Sequence, residues 1–334
     1  MTSKEWAPMN RSVVRLGMWA ALAILMSVSP AQAIIIYGGS GRDTNMPTLS
    51  GGVKPGWQYI GLFDSYTGVA IGPRAWVTAT HVLQDKSIGS SNTLNYNSTN
   101  YASTLVTTSG DLAVYELNID QPDFADWAPV WQSPGSLAVD IDLYMYGRGT
   151  NRGAARTGGW DWGTANTTLS WGTNNLTTWG LLPNDPLYPS ESNNYIVMSF
   201  DQPTVENGLP DSEGIASVGD SSGPIFGFNA ADNQWQLLGI NTYVQTVAAA
   251  PNSGSVNAAL YDATGYYVAG TPTQIAGEGG APVPLSTIST AIPFKYNVLA
   301  PFIPVPEPST WILAGLSVGG LALTTCRKRR GRKA

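Results

Sequence analysis

Between residues 57 and 240 the chain is a succession of short apolar-polar runs set apart by Gly, Pro, Asn and Ser. Examples are Trp57-Gln58-Tyr59-Ile60-Gly61-Leu62-Phe63, Ala75-Trp76-Val77-Thr78-Ala79, Leu112-Ala113-Val114-Tyr115-Glu116-Leu117 and Tyr195-Ile196-Val197-Met198-Ser199-Phe200. Several alternate with period two, the pattern of a strand with one buried face. Regular short strands with turn punctuation predict an all-β body, either barrel or sandwich. The stretch 147–189 repeats Trp-Gly and Asn-Thr elements, among them Trp160-Asp161-Trp162-Gly163 and Trp171-Gly172-Thr173. It reads as a decorated hairpin region or as a sugar-stacking surface. From Ala248 to Pro284 the chain is rich in Ala, Gly, Ser and Pro and predicts a loop. Pro293 to Phe302 predicts a short closing helix with proline in its first turn.

Composition narrows this picture. The 334 residues include 37 Gly and 23 Pro, and 12% are charged, against roughly 25% in an average soluble protein. That speaks against coiled coils and helical arrays, which draw on Glu, Lys and Ala. An apolar fraction of 43% is too high for a disordered chain.

The two ends carry addresses. In residues 1–33, Arg11 and Arg15 precede the apolar stretch Gly17 to Val28, and Ala31-Gln32-Ala33 follows with small side chains where a signal peptidase cuts. That apolar run is shorter than the ~20 residues a spanning helix needs, so cleavage after Ala33 is expected rather than a permanent anchor. At the other end, Val305-Pro306-Glu307-Pro308-Ser309-Thr310 leads into an apolar run over 311–325, and the basic cluster 327–333 closes it. An apolar helix capped by cations is a stop-transfer arrangement, which implies transient anchoring in the inner membrane. This order resembles the PEP-CTERM sorting signal of Gram-negative bacteria, here over 305–334. The resemblance implies an exosortase-type enzyme as partner and a final location at the cell surface or outside it. It also implies an association with exopolysaccharide. It does not specify an activity.

Setting the ends aside changes the electrostatics. Of 17 Lys and Arg, three lie in the signal and six in the basic tail; of 23 Asp and Glu, one lies in each end. The body keeps eight cations against 21 anions, a net charge near −13. Such a surface repels nucleic acid and anionic lipid. The single cysteine, Cys326, sits in the tail, so the body has neither a disulfide nor a thiol nucleophile. Its stability must come from a core, which about 270 residues can supply.

One histidine is present, His81, in Thr78-Ala79-Thr80-His81-Val82. A lone histidine is usually structural, and a single one rules out the paired-histidine spacings of zinc sites, so no metal or cofactor is expected. Two other segments change its meaning. Asp111 opens the run Asp111 to Leu117, and Gly219-Asp220-Ser221-Ser222-Gly223-Pro224 forms a tight loop of small residues before Ile225-Phe226. A serine hydroxyl needs a base to accept its proton, histidine suits that task near neutral pH, and a carboxylate must orient the imidazole. Backbone N–H donors must also face the developing oxyanion, which favours a loop with little side-chain bulk.

These segments resemble the chymotrypsin/trypsin-like serine peptidases over residues 37 to 245. Thr78 to Val82 looks like the family's Thr-Ala-Ala-His, Asp111-Leu112-Ala113-Val114 like its Asp-Ile-Ala-Leu, and Gly219 to Pro224 like its Gly-Asp-Ser-Gly-Gly-Pro. Gly68 to Pro73 resembles the strand and turn before the histidine. The resemblance implies two six-stranded antiparallel barrels in a domain spanning 34–250, the first over about 37–135 and the second over about 136–250. A low-complexity loop and closing helix would then occupy 251–304. Ser221 would be the nucleophile, His81 the general base, Asp111 the orienting carboxylate, and the N–H groups of Gly219 and Ser221 the oxyanion hole.

The pocket would have Ile215 at its floor and Thr242, Tyr243 and Val244 along its wall. That apolar lining favours small or medium apolar side chains before the cut. Ser222 departs from the family's glycine. Ile36-Tyr37-Gly38-Gly39 looks like the family's freed N-terminus, whose amine pairs with the aspartate before the serine, here Asp220. Cleavage after Ala33 would start the chain at Ile34, two residues early. The expected activity is exported serine endopeptidase acting on a protein or peptide. The rival is a catalytically silent protein of the same fold binding matrix or polysaccharide through its tryptophans, and esterase activity would use the same machinery.

Overall fold

Two-residue turns set the strand ends of the first half. Phe63 pairs with Tyr66 across Asp64-Ser65, Tyr96 with Thr99 across Asn97-Ser98, and Ser109 with Leu112 across Gly110-Asp111. Asn97 and Ser98 both have positive φ, the tight-hairpin geometry that matches strand twist. The computed structural model describes residues 34–39, 43–165, 167–181, 194–203, 212–248, 255–268, 274 and 281–304. The signal segment 1–33 and the sorting tail, with its apolar run 311–325, lie outside the described residues.

The strands Ile60–Phe63, Tyr66–Gly72, Ala75–Thr78, Leu112–Leu117, Thr99–Ser109 and Ser91–Tyr96 follow one another around a closed antiparallel barrel. Its interior is built on aromatics. Trp76 stacks on Tyr115 with ring centroids 4.2 Å apart, and its indole N–H donates to Ser103 Oγ at 3.0 Å. Gly61 and Gly68 face each other across the first hairpin, where a Cβ on either would collide with Leu94.

The second half is a seven-stranded antiparallel sheet, in the order Ser170–Asn175, Asp142–Gly147, Pro224–Asn229, Gln234–Val244, Ser286–Ala291, Asn194–Ser199 and Thr178–Leu181. Its two outer strands are consecutive in the chain, joined by Leu176 and Thr177. The Leu176 N–H donates to Ile141 O and the Thr177 N–H to Val197 O. Ser286–Ala291, from the stretch expected to be loop and closing helix, is a wholly buried strand in the middle of this sheet. Its Ser-Thr-Ile-Ser-Thr-Ala sequence hides it, because hydroxyls bonded to neighbouring strands take the places of aliphatic groups. Thr290, for example, meets Thr242 Oγ1 through both its N–H and its hydroxyl.

Helical turns run from Ile292 to Phe302 and bury Ile292 and Leu299 against the first barrel. The N-terminal segment belongs with the second half. Ile35 and Ile36 pair with Ile215 and Gly214, the Tyr37 N–H donates to Glu213 O, and the Arg152 guanidinium donates to the carbonyls of Ile36, Tyr37 and Gly39. A side layer of Thr150–Arg156, Gly159–Ala165 and Ala258–Leu260 covers it. Among the described residues, no helix is long and apolar enough to cross a membrane.

Candidate active site

His81 stands in the turn Thr80–Leu83, just after the strand Ala75–Thr78, and Asp111 in the turn before Leu112–Leu117. Those strands are neighbours, with Thr78 opposite Ala113, so their pairing alone brings the two side chains together. His81 Nδ1 lies 2.8 and 2.9 Å from the two oxygens of Asp111, and the His81 backbone N–H donates to the same carboxylate at 2.9 Å. Asp111 is wholly buried, whereas the His81 side chain is 22% exposed. An ionised carboxylate can only accept, so a neutral imidazole keeps its proton on Nδ1 and presents Nε2 as an acceptor. Nε2 is buried and has no hydrogen-bond partner among the described residues.

Ser221 sits in the loop from Ser217 to Gly223, which leads into Pro224–Asn229. Both Ser221 and His81 line one cavity of about 260 Å³. Within the loop, the N–H groups of Asp220, Ser222 and Gly223 are bonded to Ser217 O, Asn241 O and Asp220 O. Those of Gly219 and Ser221 donate to no acceptor among the described residues. Gly219 has φ +92°, a conformation side chains rarely take. A Cβ on Gly223 would lie 1.9 Å from Tyr146 O, so that position admits only glycine.

Ser222 also lies in the left-handed region, at φ +62°. Its buried side chain accounts for the departure from glycine. The Thr67 N–H donates to Ser222 Oγ at 3.1 Å, and the Ser222 hydroxyl donates to the Ser221 carbonyl. The serine thus ties the loop to the first barrel, offsetting a conformational cost of about 1–2 kcal/mol.

Asp220 is fully buried. Its carboxylate accepts from the Ser217 N–H at 2.8 Å, the Ser217 hydroxyl at 2.9 Å and the Gly149 N–H at 2.7 Å. The Ile34 N–H donates to it as well. Desolvation pushes the pKa up to about 6 against the pull of these four donors. Of the N-terminal segment, it is thus Ile34 whose backbone reaches Asp220, two residues before Ile36.

Thr242, Tyr243 and Val244 line this cavity, together with Ala216 and Val218. Ile215 does not. It is buried behind the cavity against Ile35 and Phe200, because strand alternation turns its side chain to the core. Trp162 and Asn241 line the cavity too and carry no local sequence signal for it.

The other tryptophans of the stretch are packed. Trp160 meets Tyr37 edge-on at 5.4 Å, with the Arg152 guanidinium over its ring. Trp171 packs on Tyr144 and donates to Asn45 O, and Trp179 packs on the core of the second half.

Comparison with known families matches residues 304–330 to the PEP-CTERM protein-sorting motif. The C-terminal segment thus carries that sorting signal, which implies recognition by an exosortase-type enzyme and export from a Gram-negative cell with membrane-associated sorting. Comparison with curated proteins finds no match.

Proposed function

We propose that this chain is an exported serine endopeptidase of the chymotrypsin/trypsin-like kind. The observation that carries the proposal is the Asp111–His81 pair, whose free Nε2 belongs to a ring lining the same cavity as Ser221. Ser221 Oγ attacks the substrate carbonyl carbon while its proton passes to His81 Nε2. Asp111 holds the tautomer and steadies the imidazolium that forms. The two uncommitted N–H groups, of Gly219 and Ser221, are the donors for the oxyanion. Collapse of the tetrahedral intermediate breaks the C–N bond, and His81 returns the proton to the departing amine. Water then attacks the acyl-enzyme by the same base, releasing the acid and restoring Ser221.

A second barrel is part of this reading. Support comes from the outer strands Ser170–Asn175 and Thr178–Leu181: taken as two halves of one bent strand, they reduce seven strands to a ring of six. The cavity favours a small or medium apolar residue before the cut, with Val244 and Trp162 limiting its depth. A polysaccharide-binding role has less to stand on, since Trp160, Trp171 and Trp179 are spent on packing. Esterase activity remains within reach of the same machinery.

Labelling of the chain Ile34 to Pro304 with a fluorophosphonate tests the proposal. Wild type should label, and Ser221→Ala and His81→Ala should not. A folded wild type that stays unlabelled across neutral and alkaline pH would sink it.

A further inference from the structure

Four of the described cations have plain partners: Arg74 pairs with Asp123, Arg156 with Asp161 and Lys86 with Asp64, while Arg152 satisfies three carbonyls and a tryptophan ring. Arg148 differs. Its guanidinium donates to one carbonyl, Thr167 O, and its Nε is buried with no partner. Among the described residues no carboxylate lies within ion-pair distance of it. Burial pulls its pKa down to about 10. A part-buried cation with a buried, unpartnered Nε and no counter-charge carries some desolvation cost, which an anion bound beside it relieves.

The place of Arg148 indicates which anion. Its backbone is held between Gly147 and Gly149, whose α-carbons crowd the Asp220 carboxylate so closely that a Cβ on either would collide with it. The side chain lines a cavity of about 390 Å³ with Ser65, Tyr66, Ala165, Thr167 and Gly219. This cavity shares no lining residue with the one holding His81 and Ser221, yet both border the same loop: Val218 and Ser221 line the first and Gly219 the second. On the peptidase reading, a peptide whose residue before the cut fills the first cavity, with its carbonyl oxygen at Gly219, would continue toward this second cavity, since Gly219 borders it.

We propose that Arg148 is the centre of a carboxylate subsite on the leaving-group side of the scissile bond, flanked by the hydroxyl-bearing Ser65, Tyr66 and Thr167. The inference rests on the peptidase reading above. Its ligand is an Asp or Glu side chain one or two residues after the cut, or the C-terminal carboxylate of a short leaving fragment. A planar guanidinium with free donors suits a carboxylate.

The test uses quenched-fluorescence peptides with one common sequence before the cut. Two positions after it carry Asp, Glu, Ala or Lys with an amidated C-terminus, and an Ala peptide with a free C-terminal acid separates the two carboxylate sources. Acidic peptides should be cleaved about tenfold faster in kcat/KM than the amidated Ala peptide, with Lys slowest. Arg148→Gln should bring the ratio of acidic to Ala peptide to about one, and Arg148→Lys should retain part of it. A purely structural loss lowers both substrates together and leaves the ratio standing. Should Arg148→Gln fail to fold, the wild-type ratio should still shrink as salt rises from ~0.05 to ~0.5 M.

A ratio near one in wild type, or a ratio untouched by Arg148→Gln or by salt, overturns the subsite. So does fluorophosphonate labelling without cleavage of any acidic peptide. A wild type that neither labels nor cleaves overturns the peptidase reading, and the subsite falls with it.

Discussion

The closed barrel draws its six strands from residues 60–117, four of its six pairings joining strands consecutive in the chain, whereas the sheet of the second half gathers strands from 142 to 291. The two halves hold their candidate site groups in correspondingly different ways. His81 and Asp111 are placed by one strand pair, and two short distances describe their geometry. Ser221 is placed by a loop whose anchors come from far along the chain: Ile34 and Gly149 on Asp220, Thr67 on Ser222, and Asn241 on the Ser222 N–H and the Asp220 carbonyl. A pair placed by one strand pairing can be altered while the fold stands. A loop held by remote bonds couples chemistry to stability and to the state of the N-terminus.

The largest separation of chemistry from folding is expected at Asp111→Asn. The amide oxygen can still accept from the His81 N–H, but its NH2 group competes for the donor place at Nδ1 and turns the ring toward the wrong tautomer. Turnover and fluorophosphonate labelling should fall by about 10³–10⁴, with thermal stability nearly unchanged. A large drop in stability beside the loss of labelling would erase the contrast between the two halves.

The next effect belongs to the N-terminus. Asp220 has a folded pKa of about 6 against an ordinary 3.8, so it favours the folded state at low pH, and that contribution is lost as pH rises from about 4 through 6. For a chain that keeps Ala33, where Ile34 offers only an amide N–H, the loss between pH 4 and 7 amounts to about 2 kcal/mol from this group. A chain starting at Ile34 presents an α-ammonium in that place, which holds Asp220 ionised and flattens the dependence. Denaturant midpoints of the two chains across pH 4–7 measure the difference, and labelling should be faster in the chain starting at Ile34. Identical pH profiles would detach the N-terminus from the loop.

What the sequence made legible follows the same divide. The barrel strands could be read because alternation and turn residues are local, and the three segments holding His81, Asp111 and Ser221 stand out because their residue types are those a nucleophilic serine would need. Asp111 was readable both as a turn residue and as a partner for His81, and it is both in position. Ser286–Ala291 escaped because its inward groups are hydroxyls satisfied across strands, which no periodicity of apolar residues detects. Trp162 and Arg148 escaped because their places depend on how a side layer and a strand end meet the loop. The resemblance implies Ile215 at a pocket floor; strand alternation turns its side chain to the core and leaves its neighbour Ala216 on the cavity that Ser221 lines.

The smallest effect, and the one that best resolves how the loop is held, concerns Ser222. Ser222→Ala removes the bonds to Thr67 and to the Ser221 carbonyl while keeping a side chain at φ +62°, so both the strain and a lost partner for the Thr67 N–H count against it. Ser222→Gly removes the same bonds but relieves the strain. The glycine variant should therefore be the more stable of the two by about 1 kcal/mol, with wild type at or above it. In thermal melts the order serine, glycine, alanine is expected, and labelling rates should follow it. Alanine matching glycine would mean that φ +62° costs nothing at this site, leaving the hydrogen bonds to Thr67 and Ser221 as the whole contribution of Ser222.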